Sequence, residues 1–170
     1  MIYEVVIPQV CKMLQNLNLL LDKGAEYAQK KNAEVEVLLT TRLAIDQFNL
    51  IKQVQIACDS AKLGIARLAG LEAKAPSHPD TEQHLPELKA RIQAVLSYLE
   101  EFSPEDFSGF QERRISQPRW QGKYVTGEEF LWQHLLPNLY FHVTTAYAII
   151  RHSGVEIGKK DYLGPIPYKT

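Results

Sequence analysis

Apolar residues recur along this chain in alternating steps of three and four, the spacing that lines one face of an α-helix. Val6, Val10, Met13, Leu17, Leu20, Gly24 and Tyr27 mark the first such run. Pro8 has no N–H to give, so it belongs in the first turn or two of that helix or kinks its start. Lys30, Lys31 and Asn32 supply a cationic, turn-prone end. A second face reads Ile51, Val54, Cys58, Ala61, Ile65 and Leu68, with Asp46 as its N-cap and Gly70 as its stop. A third reads Leu85, Leu88, Ile92, Val95 and Leu99, with Pro86 near its start, where proline is tolerated. The fourth opens on Thr126-Gly127-Glu128-Glu129, a capping box, runs to about Arg151 or His152, and is closed by Gly154.

The connections are less regular. Residues 33–45 alternate in a way that fits either a short strand or a helical turn before Thr40. Ala75-Pro76-Ser77-His78-Pro79-Asp80 is a loop by composition. Within the turn-rich 103–125 stretch, residues 113–116 and 122–125 can pair as a small hairpin over one end of the bundle. Residues 155–170 carry Gly158, Gly164, Pro165 and Pro167 and read as a C-terminal extension without regular structure. Four amphipathic helices bury their faces most simply against each other, so the expectation is all-α: one domain over 1–170, an up-and-down four-helix bundle with crossings near ~20°.

Composition narrows the function more than the fold. Lys plus Arg (19) nearly cancels Asp plus Glu (20), which argues against a nucleic-acid partner. No apolar run approaches the ~20 residues of a membrane span, and Met1-Ile2-Tyr3-Glu4 lacks the basic start of a signal peptide, so the expected location is the cytoplasm. Cys11 and Cys58 sit at helical spacing among apolar residues and read as small core side chains. His78 and His84 flank a proline loop and are expected in solvent; His152 suits a helix C-terminus.

Candidate chemistry gathers on the fourth helix. Beside the apolar stripe Trp132, Leu136, Leu139, Val143, Ala146 and Ile150 runs a second: Leu131, Leu135, Asn138, His142, Thr145 and Ile149. Both are largely apolar, so Asn138, His142 and Thr145 face an interior or a cleft floor and must find partners. One reading is a divalent metal site. His134 and His142 lie eight residues apart, about 12 Å along the axis, so they cannot share an ion. An ion therefore uses His142 with Asn138, or His134 with Asn138, plus a group from the second helix such as Gln55 or Asp59. The other reading is an internal hydrogen-bond network. No serine has a nucleophile context, and there is no glycine-rich phosphate loop.

The segments Tyr3-Glu-Val-Val-Ile-Pro8, Arg42-Leu-Ala-Ile-Asp46, Gln53-Val-Gln55-Ile-Ala-Cys-Asp59 and His142 through Val155 resemble a domain-of-unknown-function family grouped with the DinB/YfiT-like metalloenzymes. The resemblance spans nearly the whole chain. It implies a DinB-like bundle, often homodimeric, with a three-histidine metal pocket: one ligand from helix two and an HxxxH pair on the last long helix. Matching that motif places the pair at Asn138 and His142 and the helix-two ligand near Gln55 or Asp59, a departure from histidine at two of three positions. Two functions follow. The chain is a small-ligand-binding or structural protein with an altered metal-type pocket of Asn138, His142, Gln55, Asp59 and Thr145. Alternatively it is a Zn-, Ni- or Mn-dependent enzyme, a thiol S-transferase or hydrolase, with His142 on the metal.

Overall fold

The computed structural model describes residues 2–169; Met1 and Thr170, the outer ends of the expected domain and of its extension, lie outside the described residues. The first helix, α1, spans Ile2–Lys30 and buries Val6, Val10, Leu14, Leu17, Leu20 and Leu21. Pro8 falls in its second turn, and Asn32 takes a left-handed φ of 53° just past its end. The ambiguous 33–45 segment resolves as a one-turn helix, α2 (Val35–Leu39). Helix α3 covers Leu50–Ala69. Its N-cap is Asn49, not Asp46: the Asn49 side chain accepts the Lys52 N–H at 3.1 Å, while Asp46 lies in the preceding bend. Gly70 ends α3 at φ 72°, a conformation that costs glycine nothing.

Helix α4 is Leu85–Leu99, with Pro86 in its first turn and the Glu87 carboxylate accepting the His84 N–H at 2.9 Å. After two 3-10 turns, strands β1 (Arg114–Ile115) and β2 (Val125–Thr126) pair antiparallel, Arg114 opposite Thr126. The hairpin is thus present but only two residues long on each side. The fourth long helix is α5 (Gly127–Phe130), a π-turn (Leu131–Leu135) and α6 (Leu136–His152) in one rod. Its capping box forms as the pattern predicts: Thr126 N–H donates to Glu129 Oε2 at 2.8 Å, and Glu129 N–H to Thr126 Oγ1 at 3.3 Å. The tail is more ordered than its glycines and prolines suggest. Val155 and Ile157 are buried, and α7 (Lys159–Leu163) lies on α1, where Asn16 donates to the Tyr162 carbonyl at 2.9 Å.

Side-chain pairs fix the helix directions. Gln9 meets Tyr140 and Gly24 approaches Ile150, so α1 and α6 run parallel. Lys89 meets Asp22, and Glu100 lies near Cys11, so α4 opposes α1. Gln53 meets His142, Ser60 meets Asn138 and Gly64 approaches Leu135, so α3 opposes α6. The bundle is all-α with four long helices as expected, but it runs up, down, down, up instead of alternating, with α3 and α4 parallel neighbours. The loop 71–84 makes this possible by doubling back along α3: His78 reaches Lys62, Asp80 reaches Lys52 and Glu82 reaches Gln55.

That return is held by charge. The Arg91 side chain is 1% exposed and meets Asp59 at 2.9 Å, Asp80 at 2.8 Å and Glu82 at 3.1 Å. Buried Lys62 meets the other Asp59 oxygen at 2.9 Å and donates to His78 Nδ1 at 2.9 Å. Lys52 pairs with Asp80 and completes a cluster of three cations and three carboxylates. His78 is therefore held against helix α3, not free in solvent as its loop suggests, whereas His84 is exposed and pairs with Glu36 at 3.0 Å. Cys58 is fully buried, and burial pushes its thiol up to about 12, so it behaves as the small core side chain expected of it. No described helix is long and apolar enough to cross a membrane.

Gly127 stands where the hairpin meets the fourth helix. A Cβ there would sit 1.9 Å from the backbone oxygen of Phe110, which cannot rotate away as a side chain could. Gly127→Ala is thus expected to destabilise the protein by about 1 kcal/mol in urea unfolding, since overpacking of roughly 1–3 kcal/mol outweighs the helix-propensity gain of about 1 kcal/mol. An unchanged or raised midpoint would contradict this close approach.

Candidate functional site

The turn that carries His134 is irregular for a reason visible in the sequence. Pro137 has no N–H for the carbonyl four residues back, and its ring crowds that carbonyl. The helix accommodates this by widening one turn: the Leu136 N–H reaches back five residues to Leu131. Such π-turns are costly and cluster at functional sites. Here the widened turn faces α3 and the 3-10 turn Pro118–Trp120 from the hairpin connection.

Between these three elements lies a cleft of about 350 Å³. Helix α3 contributes Asp59, Ser60 and Arg67, the hairpin connection Gln117 and Arg119, and the fourth helix His134 and Asn138. Ile56, Leu63 and Leu135 form apolar wall. The His134 ring stacks on Phe130, centroids 5.1 Å apart and 13° from parallel, and meets Trp120 edge-on at 5.4 Å. Arg119 Nη2 donates to His134 Nε2 at 2.9 Å. A guanidinium can only donate, so Nε2 holds a lone pair and the imidazole is neutral. Burial lowers the His134 pKa, and the Arg119 and Arg67 charges push it the same way. Asn138 Nδ2 donates to Ser60 Oγ at 2.6 Å, and Arg67 places Nε and Nη2 on Glu72 Oε1 at 2.9 and 2.6 Å.

The five pocket residues expected from the sequence do not share one cavity. Asn138 and Asp59 line this cleft, with Asp59 also turned to Arg91 and Lys62. Gln55 is buried outside the cleft, on the flank of α3 that meets the 71–84 loop, where Nε2 donates to Glu82 Oε2 at 2.9 Å. His142 lies one turn beyond Asn138, buried between α6 and α3, with Nδ1 2.8 Å from Gln53 Oε1. Gln53 Nε2 donates to the Phe48 carbonyl at 3.2 Å, which turns Oε1 toward His142 and makes Nδ1 the donor. Thr145 spends its hydroxyl on the Phe141 carbonyl at 2.7 Å within its own helix. His142 thus spends Nδ1 on Gln53 and Thr145 its hydroxyl within its own helix, and the histidine that lines the cleft is His134. Arg67, Gln117 and Arg119 carry no local pattern that marks them; the available signal is Pro137 inside an otherwise continuous helix.

A metal fits this donor set poorly. Only one histidine and one carboxylate line the cleft; the carboxylate is engaged by two cations, and a third cation sits on the histidine nitrogen that would bind the ion. Among the described residues no group of three or more His, Cys, Asp or Glu side chains is placed to hold a metal ion.

Comparison with known proteins gives the chain its relatives. The family described as "Domain of unknown function (DUF1993)" matches residues 2–163. The crystal structure of a DinB family member from Shewanella denitrificans superposes with a TM-score of 0.97 at 58% identity, covering 100% of this chain and 96% of that one. No curated protein matches.

Burial lowers the His142 pKa, so the unfolded chain binds a proton there more readily than the folded one. Stability from this site is complete above the ordinary histidine value of 6.5 and falls as pH drops through the lower folded value. His142→Gln keeps a side chain able to meet Gln53 and removes the titration. Its urea midpoint is expected to fall less than that of the wild type between about pH 7.5 and about pH 5.5. Identical pH profiles would show that His142 is not held neutral.

Proposed function

The chain belongs to the DUF1993 family within the DinB-like superfamily, and from that premise we propose that it is a small-ligand-binding protein whose cleft works without a metal ion. The observation that carries this reading is the bond from Arg119 to His134 Nε2. In a metal-type pocket that nitrogen points its lone pair at the ion. Here a permanent cation stands 2.9 Å away, and a divalent ion would have to expel it against like-charge repulsion.

The rest of the cleft supports the same reading. Beside the charged Arg67, Arg119 and Asp59 it carries neutral donors and acceptors (Ser60, Asn138, Gln117) between apolar walls, the usual make-up of a small-molecule site. Asp59 has its charge balanced by Arg91 and Lys62. A thiol S-transferase or hydrolase of the metal-dependent kind would need a bound water or thiol activated by the ion, and the cation on His134 Nε2 disfavours holding that ion in this cleft.

The purified protein is expected to hold well under one equivalent of Zn, Ni or Mn by elemental analysis. Its melting temperature should move by less than about 1 °C when any of the three is added, because only a ion bound to the native state stabilises it. One equivalent retained through desalting, and lost in His134→Ala, would contradict the proposal.

A further inference from the structure

We infer that the ligand of this cleft is a small oxyanion, a carboxylate or a phosphate group, which seats between Arg119 and Arg67 and draws Arg119 off His134. The inference rests on the metal-free reading above and adds the chemistry of the occupant.

The cleft is rich in donors and short of free acceptors. A guanidinium offers five N–H donors, and His134 Nε2, a neutral acceptor, is the partner Arg119 has among the described residues. Arg67 gives Nε and Nη2 to Glu72, leaving Nη1 without a bond there. Gln117, 8% exposed, aims its amide N–H toward the same imidazole nitrogen, at 3.5 Å. The one carboxylate in the lining, Asp59, has both oxygens facing the Lys62 and Arg91 cations. Beyond Arg67 a second groove begins, and it carries Arg113 and Arg114. Glu72 meets the charge of Arg67, so Arg119 is the lining cation with no carboxylate against it among the described residues; that uncompensated charge on apolar walls favours an anion, and forked guanidiniums suit the paired oxygens of carboxylate and phosphate.

Seating an anion changes His134. It takes up the charge of Arg119 and moves that group from Nε2, so the lone pair is freed and a proton becomes welcome there. The charged groups facing the ring are Arg119 from the hairpin connection and Asp59 and Arg67 from α3, with Glu72 behind Arg67. Desolvation and the two arginines hold the pKa of His134 down in the free protein. Anion binding removes part of that, so the pKa rises and a proton is taken up on binding. By linkage, affinity strengthens as pH falls through this range.

The test is an NMR titration of the full-chain protein, following the His134 ring. Inorganic phosphate and acetate are added in separate series, with sodium chloride at matched ionic strength as the reference. A saturable shift with phosphate or acetate, together with a raised His134 pKa, is the expected result; which series saturates identifies the oxyanion. Arg119→Gln should bind at least about tenfold more weakly, the loss typical of one charge-assisted bond. Arg119→Lys, which keeps the charge but not the fork, should fall between, and Arg42→Gln, remote from the cleft, should match the wild type. Circular dichroism confirms that each variant is folded. The inference is overturned if neither oxyanion saturates, if chloride reproduces the shift, or if Arg119→Gln and Arg119→Lys both bind as the wild type does. Zinc bound at His134 would instead overturn the metal-free reading; a metal-free cleft indifferent to both oxyanions would overturn this inference alone.

Discussion

Arg91 carries a full charge on a side chain that is 1% exposed, and a buried charge without partners costs several kcal/mol. Its neutralisation shapes much of the molecule. One partner, Asp59, comes from α3; the others, Asp80 and Glu82, come from the loop that precedes α4. Those carboxylates can reach Arg91 only if the chain doubles back along α3 after Gly70. Once it has done so, α4 must start beside the start of α3 and run parallel to it. The up, down, down, up order of the bundle and the ion cluster are therefore one constraint seen from two sides.

The same cluster decides what the cleft on the other side of α3 can hold. Asp59 sits at the boundary, and its two oxygens face Arg91 and Lys62. Gln55 is turned away to Glu82. The acceptors that α3 could have offered to a metal are thus engaged in closing the fold. What remains around His134 is Arg119, Arg67, Gln117, Ser60 and Asn138, a set dominated by donors. The cation at His134 Nε2 and the engaged carboxylate have separate structural causes but push the cleft toward the same kind of occupant.

Much of the fold was legible in the residues. The three-four spacing located all four long helices, and the Thr126–Glu129 capping box located the start of the last to the residue. Periodicity reports which face is buried but not which way a helix points, so the parallel pairing of α3 and α4 could not be read from it. The N-cap of α3 was misplaced because Asp46 and Asn49 are both competent caps, and the choice depends on where the preceding turn ends. The site was half legible. Asn138 has a histidine four residues to either side, His134 and His142, and helix geometry treats them alike. Which one faces open space is set by Gln117 and Arg119, brought over the first half of the helix by the hairpin, a contact between distant segments that no local pattern carries. Pro137 carries the local signal for that place, since a proline inside a continuous helix forces an irregular turn.

The claim that Arg91 organises both the topology and the cleft is tested most directly by hydrogen exchange on Arg91→Met, which keeps the length of the side chain and removes its charge. The account predicts faster exchange concentrated in residues 71–84 and the first turns of α4, where Asp80 and Glu82 lose their cation, with α1 and α6 protected as in the wild type. Exchange in 71–84 that is unchanged by the substitution would contradict it, because the loop would then be held by something other than the buried guanidinium.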